Sequence, residues 1–146
     1  MQKTAYKLVK IFKIKKPRIP GVTLIIDDDE KYQQMLKLLL QDCCSKTVIA
    51  LNAEEGFKYL EKCASRVTLI LLDVNLPGIS GVEFLYKIKQ INLLKNIPII
   101  LQTGCEYSDI QKGLGLGASL YLRKPYLKEE LYSAINHIKL ENNKKD

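Results

Sequence analysis

The segment Val67-Thr68-Leu69-Ile70-Leu71-Leu72-Asp73-Val74-Asn75-Leu76-Pro77-Gly78 decides the fold. Its first six residues form a short, bounded, apolar run, the pattern of a strand buried on both faces of a parallel sheet. A carboxylate closes the run, and a Pro-Gly pair turns the chain a few residues later. Open α/β sheets bind their ligands just beyond the carboxyl ends of their strands. Asp73 therefore stands where chemistry is expected.

The same pattern repeats along the chain. Strands are expected over residues 22–26, 47–51, 67–72, 98–102 and 120–122. A helix follows the first strand, with Tyr32, Met35, Leu36, Leu39 and Leu40 at helical spacing. Asn52-Ala53-Glu54-Glu55 and Ser80-Gly81-Val82-Glu83 have the form of capping boxes and open two more helices. The last helix carries Leu127, Leu131, Ile135, Ile138 and Leu140. Five strands alternating with helices imply a doubly wound α/β domain with a five-stranded, mostly parallel sheet. Gly113, Gly115 and Gly117 lack dinucleotide-motif spacing; they are expected to soften the end of the fourth helix.

Three strand ends carry matching chemistry. Asp27-Asp28 follows the first strand, Asp73 the third, and Lys124-Pro125 the fifth. Thr103 adds a hydroxyl at the end of the fourth. Clustered carboxylates repel one another unless a cation relieves them. Asp27, Asp28 and Asp73 are candidate ligands for Mg²⁺, which takes one or two carboxylates along with water and phosphate oxygens. Asp73 could then attack phosphorus, with Lys124 and Thr103 engaging the phosphoryl oxygens. Taken singly, each residue has a plainer reading: Asp27-Asp28-Asp29-Glu30 as charge compensation at a helix start, Thr103 as a turn residue, Lys124 as a solvated charge. Their recurrence at successive strand ends favours the joint site. His137, the one histidine, reads as a surface residue of the last helix.

Charge is unevenly spread. The net charge is +7, and seven of the 23 basic residues lie in the first 20 positions with no acid among them. The sixteen bases that remain face sixteen acids. The expected organisation is a basic arm (1–20), one domain (21–140) and a polar, frayed tail (141–146). Nothing in the body suggests a nucleic-acid face. The arm's bases, interleaved with Tyr6, Leu8, Phe12 and Ile14, admit contact with an anionic membrane or nucleic acid, but a solvated or partner-docking extension is the favoured reading. Cys43, Cys44, Cys63 and Cys105 form no metal-binding pattern and are expected to be reduced. With no signal-peptide core and no membrane span in the sequence, the expected location is cytoplasmic.

Together, Leu-Ile-Ile-Asp27-Asp28, Leu-Leu-Asp73-Val-Asn75-Leu-Pro77-Gly78-Ile-Ser-Gly81, Leu-Gln-Thr103-Gly104, Gly117-Ala118 and Tyr121-Leu-Arg-Lys124-Pro125-Tyr126 resemble the receiver domain of two-component response regulators. The resemblance spans roughly residues 21–140. It implies a flavodoxin-like sheet in the order 2-1-3-4-5 and phosphotransfer to Asp73 from a histidine kinase or histidine phosphotransfer protein. It also implies metal ligation by Asp28, Asp73 and the Asn75 carbonyl, with Asp27 acting mainly through a water. Thr103 and Lys124 would engage the phosphoryl group, Tyr121 would be the switch aromatic, and the Lys124-Pro125 bond would be cis. The downstream partner would dock on helix four, strand five and helix five.

The chain therefore reads as a phosphoacceptor switch with no DNA-binding domain, promoting only its own phosphorylation and dephosphorylation. It is either a stand-alone receiver or part of a larger hybrid protein. The alternative is a Mg²⁺-dependent phosphohydrolase with an aspartate nucleophile. Such enzymes usually carry a second acid two residues beyond the nucleophile, where this chain has Asn75. Helix four, beginning after Cys105-Glu106, is expected to be mobile without phosphorylation.

Overall fold

A computed structural model describes residues 14–104 and 107–145. Five strands and five helices alternate: β1 (Ile19–Ile26), α1 (Glu30–Leu40), β2 (Cys44–Ala50), α2 (Ala53–Cys63), β3 (Val67–Asp73), α3 (Gly81–Lys89), β4 (Ile99–Thr103), α4 (Tyr107–Gly115), β5 (Leu120–Arg123) and α5 (Lys128–Lys145). All strand pairs are parallel, in the order β2-β1-β3-β4-β5. This is the flavodoxin-like, doubly wound sheet expected from the motifs.

The three central strands explain the long apolar runs. Side chains alternate across a strand, and here both faces are covered. Leu24, Ile26, Ile70, Leu72 and Leu101 join Leu60, Phe84, Leu85 and Ile88 in one buried cluster. Ile25, Leu69, Leu71 and Ile100 join Leu36, Leu40, Leu131, Ile135 and Ile138 in the other. So α2 and α3 cover one face of the sheet, while α1 and α5 cover the opposite one. Every helix then begins at the edge where the strands end.

The capping signals behave as expected. Asn52 Oδ1 accepts from the Glu55 amide at 2.9 Å, and Ser80 Oγ accepts from the Glu83 amide at 3.2 Å. Each such cap contributes about 1 kcal/mol. Asp29 caps α1, accepting from the Lys31 and Tyr32 amides.

Three local readings need correction. First, β1 begins at Ile19. Ile19 is buried, its amide donates to the Cys43 carbonyl, and a register shift precedes Val22. Pro20 is tolerated at that irregularity, and Gly21 supplies φ +70° there. Second, β2 begins at Cys44 and ends at Ala50, because Lys46 to Ala50 continue the pairing with β1. Third, two of the three glycines do more than weaken the end of α4. Gly117 takes φ +105°, the Gly117 amide donates to the Leu114 carbonyl, and the Ala118 amide donates to the Gly113 carbonyl. That is a Schellman cap, which satisfies carbonyls left open at the helix end. A Cβ on Gly113 would lie 2.2 Å from Leu101 Cδ1, so this glycine lets α4 approach β4. Separately, α5 runs helical as far as Lys145. No Gly or Pro interrupts this stretch.

The basic arm as far as Lys13, along with Cys105-Glu106, lies outside the described residues. From Ile14 onward the segment packs on the domain: Ile14 sits against the α1/α5 cluster, and Asn136 Nδ2 donates to the Lys15 carbonyl at 2.7 Å. Cys43, Cys44 and Cys63 are thiols. His137 is exposed, as expected.

Candidate functional site

The ends of β1, β3 and β5 bring the acids and the lysine together. Carboxylate oxygens of Asp27, Asp28 and Asp73 all lie within 4.8 Å of one another. Asp27 is fully buried, Asp73 nearly so, and Asp28 is exposed. Lys124 Nζ lies 2.6 Å from Asp27 Oδ2 and 3.3 Å from Asp73 Oδ2. The expected convergence of Asp27, Asp28, Asp73 and Lys124 is therefore present. The Lys124-Pro125 peptide bond is cis.

The chain holds Asp73 by its neighbours. The Asn75 amide donates to Asp73 Oδ1 at 3.0 Å, and the Val74 amide donates to the Gln102 carbonyl at 3.2 Å. The following loop turns on Gly78, at φ +74°, and returns so that the Gly81 amide meets the Val74 carbonyl at 3.0 Å. A Cβ on Gly81 would lie 2.2 Å from the Asp73 carbonyl oxygen and 2.8 Å from Val74 Cα. These are backbone atoms and cannot swing aside. Gly81→Ala is expected to cost about 2 kcal/mol or more in urea unfolding. Wild-type stability in that variant would show that the loop relaxes freely.

Electrostatics single out Asp73. Its pKa is pushed up to about 6, first by burial and then by the Asp27 charge, with Lys124 pulling the other way. Burial opposes the charge on Lys124, yet the hydrogen bonds and charges of Asp27 and Asp73 outweigh it, and its pKa is raised. When ionised, three carboxylates against one ammonium leave two negative charges. An all-oxygen set with that excess suits a hard divalent cation. The residues present thus fit a metal ion.

Thr103 ends β4, fully buried, one residue beyond Gln102, the register partner of Asp73. Its carbonyl accepts from the Lys124 amide at 2.8 Å. Tyr121 lies on β5 and is 44% exposed.

Four site neighbours escaped the sequence reading. Gln33 Nε2 donates to the Asp27 carbonyl. The Tyr32 ring lies under Lys124 Nζ, 4.2 Å from ring centroid to nitrogen. Gln102 Nε2 donates to Asp27 Oδ2 at 3.2 Å, and Tyr126 OH donates to Gln102 Oε1 at 2.6 Å. The available signal was Gln102 itself, a polar residue interrupting the apolar run of β4.

Comparisons with known proteins agree with this geometry. A family model described as the response regulator receiver domain matches residues 23–136. The chain is 33% identical over 116 residues to the two-component response regulator-like PRR37 of Oryza sativa, a match covering 79% of this chain and 16% of that protein. It thus spans about a sixth of that relative's length. A CheY-like response regulator receiver domain protein from Methanospirillum hungatei superposes with TM-score 0.78 at 27% identity, covering 88% of this chain and all of that one. The Mn²⁺-bound form of response regulator Rcp1 superposes with TM-score 0.68 at 26% identity, covering 82% of this chain and 92% of that one. With its fold, its convergent acids and lysine, and a family match over most of its length, the chain belongs to the response regulator receiver domains of two-component systems.

Proposed function

We propose that Asp73 is the phosphoacceptor of this receiver and that Mg²⁺ is its metal. The observation that carries this is the buried Asp27/Asp73 pair bridged by Lys124 at 2.6 and 3.3 Å, beside the exposed Asp28. Asp28, Asp73 and the Asn75 carbonyl would hold the ion, with Asp27 acting through a water. Bound Mg²⁺ supplies positive charge against the phosphoryl oxygens.

The chain's own groups do the rest. An Asp73 carboxylate oxygen forms a bond to phosphorus while the phosphorus–nitrogen bond of a partner's phosphohistidine breaks. The electron pair leaves on the imidazole nitrogen, which takes up a proton from solvent. Lys124 moves toward the phosphoryl oxygens, and Thr103 donates its hydroxyl to them. Thr103 and Tyr121 form the switch pair. The responding surface is α4-β5-α5, where Lys112, Tyr121, Arg123 and Leu127 are exposed. The donor is a histidine kinase or histidine phosphotransfer protein.

We read the chain as a switch rather than a turnover enzyme, because Asn75 offers no second acid beyond Asp73. Among the described residues no helix is long and apolar enough to cross a membrane. We place the protein in the cytoplasm, where its thiols would stay reduced. Contact of the basic arm with a membrane or nucleic acid remains the disfavoured reading.

Incubation with acetyl phosphate and Mg²⁺, followed by intact-protein mass, tests the proposal. The expected result is a gain of one phosphoryl group that chelation of Mg²⁺ prevents. Steady release of phosphate from a generic phosphomonoester would instead favour the hydrolase.

A further inference from the structure

Asp27 is fully buried, and protein donors occupy both its oxygens. Oδ1 accepts from the Asp29 amide at 2.9 Å. Oδ2 accepts from Lys124 Nζ at 2.6 Å and from Gln102 Nε2 at 3.2 Å. Gln102 is itself fully buried, and its other amide atom is taken: Oε1 accepts from Tyr126 OH at 2.6 Å. That second bond fixes which way the amide points. A flip would set Oε1 against a carboxylate and leave the tyrosine hydroxyl facing an N–H donor. Tyr126 in turn packs edge-on against Tyr32, centroids 5.6 Å apart, and Tyr32 underlies Lys124.

We infer that Gln102, oriented by Tyr126, is a positioning residue for Asp27 that releases Lys124 to the phosphoryl group. The inference rests on the phosphoacceptor reading above. In the resting site Asp27 Oδ2 has two protein donors. When Lys124 turns to a phosphoryl oxygen, Gln102 stays on Oδ2 and the Asp27 charge does not lose its only side-chain partner. A buried acceptor stripped of its donors is costly, most of all when charged. Without Gln102, Lys124 is held back by Asp27, and the phosphorylated arrangement loses more than the resting one. A difference between states of this kind shifts their populations. The sequence position reinforces the point: Gln102 lies between Asp73, its register partner, and Thr103, its neighbour.

The test uses beryllofluoride, a phosphoryl mimic, at saturating Mg²⁺. Gln102→Met keeps a long unbranched chain without polar atoms, and Tyr126→Phe removes only the hydroxyl. Beryllofluoride affinity is expected to fall about tenfold in Gln102→Met, in line with a lost hydrogen bond to a charged group. A smaller fall is expected in Tyr126→Phe. Tyr132→Phe is the control. It removes a hydroxyl bonded to the Leu39 carbonyl at 2.9 Å, away from the site, and should lower stability without moving beryllofluoride affinity. If Gln102→Met does not fold, Tyr126→Phe decides. Wild-type beryllofluoride affinity in these variants, with only their melting temperatures lowered, overturns the inference and leaves Gln102 a structural residue. Failure of the wild-type protein itself to bind beryllofluoride with Mg²⁺ overturns the phosphoacceptor reading, and this inference with it.

Discussion

Asp73→Asn is expected to abolish phosphorylation while making the metal-free protein more stable above pH 7. The two effects share one cause. Asp73 is buried beside Asp27, and its pKa is raised from 3.8 to about 6 in the folded protein. A carboxyl group with a raised folded pKa favours the fold fully below its unfolded pKa, and that contribution is lost as pH rises through the folded one. Above pH 7 the folded state holds an ionised carboxylate it would rather protonate, at a cost of about 3 kcal/mol. Asparagine removes that charge without changing the shape. Urea unfolding at pH 8 without metal should therefore show the variant more stable, by on the order of 1–3 kcal/mol, with the gap closing toward pH 4. Mg²⁺ should stabilise the wild-type protein far more than the variant. A variant less stable than wild type at pH 8 would mean that Asp73 is satisfied by Lys124 rather than strained.

Lys124→Met should act in the opposite direction. Lys124 is the cation that bridges Asp27 and Asp73, and it stacks on Tyr32. Methionine keeps most of the hydrocarbon stem but leaves two buried carboxylates facing each other. Breaking a buried ion pair on one side typically costs about 3–5 kcal/mol; Lys124 is partly exposed, so the lower end is expected here. The loss should shrink as pH falls from 8 toward 6, because without Lys124 the Asp73 carboxyl takes up its proton above the wild-type value of about 6, and Mg²⁺ should recover much of it. Urea unfolding at pH 5 and pH 8, with and without Mg²⁺, measures all three effects. A Lys124→Met protein of wild-type stability at pH 8 without metal would show that the carboxylates do not depend on this lysine.

The parts of the fold that the chain spells out most clearly are those governed by burial. The run from Val67 to Leu72 is apolar because two clusters of helices cover it, so β3 and its terminal acid were legible from residue type alone. Ser80 and Asn52 announced their helices because capping needs particular side chains at particular offsets. The arm–domain junction was less clear. Pro20 and Gly21 look like breakers, yet they form an irregularity inside β1, since Ile19 still pairs with Cys44. The glycines after Lys112 also misled. Glycine lowers helix propensity, but here Gly117 forms a cap and Gly113 permits a close approach. Asp27, Asp28, Asp73 and Lys124 could be placed together because parallel topology gathers strand ends. The partners of Asp27 could not. Gln33 and Tyr32 come from α1, Gln102 from the end of β4 and Tyr126 from the loop before α5; only packing brings Gln102 onto the Asp27 carboxylate, Gln33 onto its carbonyl, Tyr126 onto Gln102 and Tyr32 under Lys124.

The most direct test of the account is to locate the phosphoryl group. Borohydride reduces an acyl phosphate to a primary alcohol with loss of phosphate, leaving a stable mass change at the acceptor residue. Applied after acetyl phosphate and Mg²⁺, peptide mapping should find that change at Asp73 alone. A change at Asp27 or Asp28 instead, or a phosphoryl group that borohydride does not remove, would contradict the assignment of Asp73 as the acceptor.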